Sequence, residues 1–107
     1  EPAALVLSRV IDKGPDNTLT VNAGHKRWGA DQGPVTVFSG RDLRVELFSE
    51  EHTVLRCADD EHYRIGDYIL IAPEHVCSTV NLYEFAVLID GDGSIINSRM
   101  PVDGRNR

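Results

Sequence analysis

A chain of 107 residues is long enough to bury one hydrophobic core and short for two, so a single domain over residues 1–107 is expected. With 41% apolar and 26% charged side chains, the composition is that of a soluble globular protein, which excludes disordered and collagen-like chains. A formal net charge of -6 opposes contact with nucleic-acid phosphates, and no apolar run approaches the roughly 20 residues that cross a bilayer.

The opening residues carry neither the basic flank nor the cleavage pattern of a secretory signal. Two cysteines, Cys57 and Cys77, are too few for a disulfide scaffold. A cytoplasmic protein with free thiols is the expectation.

In chain order, residues 4–11 are dense in branched apolar side chains and are closed by the turn formers of residues 12–17, which predicts a strand and then a turn. Residues 18–22 alternate polar and apolar with the period of a half-buried strand. Residues 24–33, flanked by Gly24 and Gly33, hold neither a helical nor a strand period and predict a structured loop of the kind that lines sites. Further strands are expected over Val35–Phe38, residues 43–48 and residues 52–57. Tyr68–Ala72 is a continuous apolar run that predicts a strand buried on both faces, ended by Pro73, which has no N–H to donate. Residues 84–89 and 95–99 flank a glycine-rich turn and predict a terminal hairpin. Many short strands without a segment of strong helical period predict an all-β domain, a small barrel or sandwich.

The chemistry concentrates in Pro73-Glu74-His75-Val76-Cys77-Ser78-Thr79-Val80-Asn81-Leu82. In an extended backbone, residues two apart project to one side with alpha carbons roughly 6.5 to 7 Å apart, so His75 and Cys77 could converge on one ion. A mixed imidazole and thiolate pair suits zinc, which is borderline soft, but two ligands leave the coordination incomplete. Spacing alone leaves an edge histidine beside a buried thiol as the competing reading. Glu51-His52 pairs a carboxylate with an imidazole, fit for acid–base work or for orienting a ligand, or else simply marks a strand start with an exposed acid and a half-buried histidine. Tyr83 could reach a substrate, or place its ring in the core and its hydroxyl at the rim. Trp28 is expected as a core or interface anchor, with His62 and Cys57 as space-filling residues.

The segment around His75 resembles the Pro-x-His-x-Cys-x-Thr-x-Asn-Leu signature of the D-serine dehydratase-like domain family. Asn22-Ala23-Gly24-His25-Lys26 is similar to that family's Asp-Ala-Gly-x-Lys stretch, and Ser49-Glu50-Glu51-His52 to its Ser-Glu-Glu-His stretch. Gly66-Asp67 resembles the lead-in to its metal strand, and Met100-Pro101-Val102 its closing Trp-Pro-Val. Asn22 and Met100 depart from the usual Asp and Trp.

The resemblance implies the carboxy-terminal β-domain of an alanine racemase-like enzyme, joined to a barrel that carries pyridoxal phosphate and its anchoring lysine, the pair forming homodimers. It implies zinc on His75 and Cys77, placed to meet the β-hydroxyl of a D-3-hydroxyamino acid in a D-serine dehydratase or D-threonine aldolase type of lyase. Aldolases of this group generally show Asp where Cys77 stands, which tilts the reading toward dehydratase. The barrel lies outside these residues, so the chain is expected to be inactive alone, and Lys26 matches a β-domain loop lysine rather than a cofactor anchor. Two other readings use the same residues: a stand-alone zinc-binding or protein-interaction module that kept the fold, and a structural cap with a vestigial metal site.

Overall fold

The computed structural model describes every residue except Glu1, Pro34, Phe38, Gly40, Arg41 and Arg107. Six strands form one sheet: β1 (Val6–Gly14), β2 (Thr18–Val21), β3 (Thr36–Val37), β4 (Arg44–Phe48), β5 (Thr53–Arg56) and β6 (Tyr68–Ala72), ordered β3-β6-β1-β2-β5-β4. All their pairings are antiparallel, and the outer strands β3 and β4 approach each other, so the sheet curls into a nearly closed barrel. A short α-helix, α1 (Val76–Val80), follows β6, and the hairpin β7 (Phe85–Ile89) and β8 (Ile95–Pro101) forms a separate two-stranded sheet. The all-β expectation therefore holds with one correction, since α1 and a 3-10 turn at Asp60–His62 interrupt it. Phe38, expected at the end of β3, lies outside the described residues.

Alternation builds the core. In β1, Val6, Ser8 and Val10 point inward while Leu7 and Arg9 face out; β2 contributes Leu19 and Val21, and β5 contributes Thr53 and Leu55. Each fully buried aliphatic side chain of this set stabilises the fold by roughly 1.5–3 kcal/mol relative to exposure. The buried hydroxyls are paired, Ser8 Oγ donating to the Ile69 carbonyl at 2.8 Å and Thr53 Oγ1 to the Ala23 carbonyl at 2.6 Å, so neither carries an unpaired-donor penalty.

β1 runs three residues further than its apolar run suggested, to Gly14, before a tight turn over residues 15–17. Asp16 and Asn17 take φ of 57° and 59° there, a left-handed conformation that short Asx side chains tolerate. An irregularity between Val10 and Asp12 turns Ile11 outward, and Asn22 closes it by accepting the Arg9 N–H on Oδ1 at 2.8 Å. The family's usual Asp could accept that same bond, so the amide at position 22 serves the backbone here.

β6 corrects a second expectation. It is buried on one face only: Ile69 and Ile71 enter the core while Tyr68 is 64% exposed. A run of apolar residues cannot by itself report whether a second layer covers the outer face.

Candidate metal centre

Pro73 ends β6, yet the chain beyond it does not remain extended. His75 keeps an extended backbone at φ −125° and ψ 103° and serves as the residue preceding α1, and Cys77 sits in that helix's first turn. The extended geometry considered for the His75 and Cys77 pair therefore does not hold at Cys77. A hydroxyl of the segment explains the turn, because Thr79 Oγ1 donates back to the His75 carbonyl at 2.9 Å and offers the backbone an alternative to a sheet ladder.

Residues 24–33 do form a structured loop, and it is the floor of this site. Its first half is stitched to the turn between β4 and β5: the N–H groups of His25 and Lys26 donate to the carbonyls of Ser49 and Glu50 at 2.9 and 3.0 Å. A side chain at Gly24 would stand 2.1 Å from the Ser49 carbonyl oxygen, so only glycine allows this approach. Trp28 is fully buried and packs edge-on against Phe48 at 4.6 Å, which makes it a core anchor. Its second half is stitched to α1. The Gly29 N–H donates to buried Thr79 Oγ1 at 2.8 Å, and the Tyr83 hydroxyl donates to the Arg27 carbonyl at 2.8 Å.

Asp31, at the far end of this loop, was not singled out by its residue type; only its place in a glycine-flanked, period-free loop pointed toward it. Its Oδ2 lies 2.5 Å from His75 Nδ1, and its Oδ1 accepts from Ser78 Oγ at 2.5 Å. Those two bonds, the one from Ser78 foremost, hold its carboxyl below the usual aspartate range. His75 is half-buried, Cys77 is exposed with a free thiol, and an open groove of about 440 Å³ lies beside Cys77, between α1 and Gly104 of the tail.

The other sequence candidates fall elsewhere. Glu51 and Glu50 both pair with Lys26, at 3.3 and 3.0 Å, so the Lys26 ammonium is stabilised and its pKa is raised, Glu50 being the main cause. His52 is exposed rather than half-buried, and among the described residues no hydrogen bond or ion pair links Glu51 or His52 to His75 or Cys77. Tyr83 acts as a loop clamp, and burial pushes its hydroxyl pKa up. His62 is exposed and faces Asp59 at 3.8 Å, while Cys57 is buried with its thiol directed at the Asn17 carbonyl.

The donors present fit zinc in kind. An imidazole nitrogen and a thiolate are its ordinary ligands, and two of them leave positions open for water, substrate or another domain. Among the described residues no group of three or more His, Cys, Asp or Glu converges as a complete cage.

The nearly closed β-barrel is a fold that the chain shares with alanine racemase-like proteins. The chain belongs to the family described as "putative serine dehydratase domain", whose pattern matches residues 3–89. Among its relatives it is 28% identical to a D-threonine aldolase of Arthrobacter sp. over 83% of this chain and 24% of that one. It is also 28% identical to the D-serine dehydratase of Dictyostelium discoideum over 90% of this chain and 29% of that one. It thus spans less than a third of the length of these enzymes. An uncharacterized protein of Mycobacterium tuberculosis is 26% identical over 97% of this chain and 83% of its own length.

Among solved structures, the D-threonine aldolase of Filomicrobium marinum superposes with a TM-score of 0.87 at 32% identity, over 98% of this chain and 29% of that one. The D-threo-3-hydroxyaspartate dehydratase of Delftia sp. shares the fold, with a TM-score of 0.75 at 20% identity over 89% of this chain and 31% of that one.

Proposed function

We propose that this domain contributes His75 and Cys77 as metal ligands, and α1 with residues 24–33 as active-site wall, to a pyridoxal phosphate-dependent lyase acting on D-3-hydroxyamino acids. The observation that carries the reading is an exposed cysteine in the first turn of α1, lining an open groove, with a half-buried histidine immediately before that helix, in a chain that matches D-serine dehydratase and D-threonine aldolase relatives. When bound, zinc would supply Lewis acidity toward the substrate β-hydroxyl, and the barrel's pyridoxal phosphate an electron sink. The chain's own residues would hold the ion at the lip, and Tyr83 and Gly29 would keep the loop seated beneath it.

The barrel, the homodimer and the substrate belong to the longer protein that this reading requires. The hairpin supports it, since Val87, Ile89, Ile95 and Ile96 are 52 to 64% exposed, an apolar surface suited to a covering domain. Metal analysis tests the ligand assignment: zinc should bind the chain in a one-to-one ratio and be lost in Cys77→Ser, and equal zinc in both would count against it.

A second reading is favoured by the mycobacterial relative, of which this chain covers 83%. In that case the domain is a stand-alone module that binds metal or another protein without lyase chemistry. Co-purification with a barrel-bearing subunit would decide between the two.

A further inference from the structure

We propose that Asp31 is a positioning residue that fixes the tautomer of His75, holding the proton on Nδ1 and leaving Nε2 as the bare nitrogen that faces a ligand. The inference rests on the metal-ligand reading of His75 and assigns a role to a residue that the family signature does not contain. A carboxylate can only accept hydrogen bonds, so at 2.5 Å from Asp31 Oδ2 the Nδ1 atom must be the donor. A neutral imidazole carries a single N–H, and its other nitrogen is then a lone-pair donor.

The strap is held at both ends. Ser78 Oγ donates to the second carboxylate oxygen at 2.5 Å, so the Asp31 side chain cannot swing away from His75 without breaking a second bond. The backbone behind it is pinned as well, because the Gly29 N–H is bonded to Thr79 on the helix that His75 begins. With one oxygen on the His75 ring and the other on Ser78, Asp31 is placed to act through the imidazole. A carboxylate behind a ligating imidazole orients the ring and raises its basicity toward the metal, and loss of such a partner typically weakens metal binding about 10- to 100-fold.

The competing account is a purely mechanical one, in which Asp31 only clips the loop to α1 through Ser78. Long-range ¹H–¹⁵N spectra of the metal-free chain at about pH 8, above the ordinary imidazole range near 6.5, separate the two. Wild type and Ser78→Ala should show His75 protonated on Nδ1, and Asp31→Ala should move it toward the Nε2–H form. Asp31→Asn, which preserves the shape of the side chain, serves if the alanine variant does not fold, and should show a partial move.

Competition with a chelator should give zinc binding about 10- to 100-fold weaker in Asp31→Ala and within about 3-fold of wild type in Ser78→Ala. An Nε2–H form in the wild type, or an unchanged tautomer in both Asp31 variants, overturns the proposal. Equal losses of affinity in the Ser78 and Asp31 variants overturn it too, in favour of the mechanical clip. The expected tautomer shift in a chain that binds no zinc at all would uphold the strap and sink the metal reading on which it was built.

Discussion

The Gly29 N–H and the Thr79 hydroxyl, 50 residues apart in sequence, meet at 2.8 Å and join the site loop to the helix that carries Cys77. Thr79 is 3% exposed, so the bond is shielded from water. Thr79→Val keeps the shape and leaves the Gly29 donor unpaired, at a cost of about 1–3 kcal/mol. Each kilocalorie should lower the melting temperature by about 4–8 °C in a domain of this size, which calorimetry will register.

At Gly29 itself a side chain has no room. An added Cβ would stand 1.8 Å from Ser78 Oγ, the group that holds Asp31. Gly29→Ala should therefore destabilise the fold by about 1–3 kcal/mol and also weaken zinc binding, whereas Gly91→Ala, which meets open space, should do neither. Melting curves and chelator competition on the two variants check this.

Lys26 should not anchor pyridoxal phosphate. An amine that attacks a carbonyl must be able to lose its proton near neutral pH, and the two glutamates beside Lys26 push its pKa the other way. Incubation with the cofactor followed by borohydride should leave Lys26 unmodified on peptide mapping. A reduced adduct at that residue would contradict the reading.

Asp42 should shape the acid limb of stability. It accepts the Tyr63 hydroxyl at 2.5 Å, and that bond holds its pKa below the ordinary 3.8. A carboxylate depressed on folding contributes stability above its unfolded pKa, and the contribution fades as pH falls through the lower folded value. The exposure of Asp42 limits the size of the effect. Asp42→Asn should lower the melting temperature at neutral pH and converge with wild type toward pH 2, and a pH series of thermal melts measures the convergence.

The β7–β8 hairpin packs chiefly on itself and leaves its large apolar residues in water. Paired substitution Val87→Lys with Ile96→Lys should cost little stability, because each side chain is already more than half exposed. It should suppress concentration-dependent association of the isolated chain and abolish any complex with a barrel partner. Light scattering and pull-down measure the two effects, and unchanged association would count against the hairpin as a docking surface.

Much of the fold was legible because its signals are local. The alternation in β2 and β4, the proline after Ala72 and the Asp-Gly-rich turn before Ile95 each act within a few residues, and the strands lie within a few residues of where those signals put them. The conformation of residues 75–80 was not legible in that way. The His-x-Cys spacing was considered in an extended backbone, and the hydroxyl of Thr79, folding back on the His75 carbonyl, favours the helix found there.

The sequence by itself determined the family of this chain and the identity of its two candidate ligands, because both rest on residue types at fixed spacing. Only the tertiary structure decided that Asp31 stands behind His75, that Lys26 is tied down by Glu50 and Glu51, and that only one face of β6 is fully buried. Those relationships span from about 20 to more than 40 residues. No local pattern encodes a contact of that range, which exists only once the sheet has curled and brought the loop onto the helix.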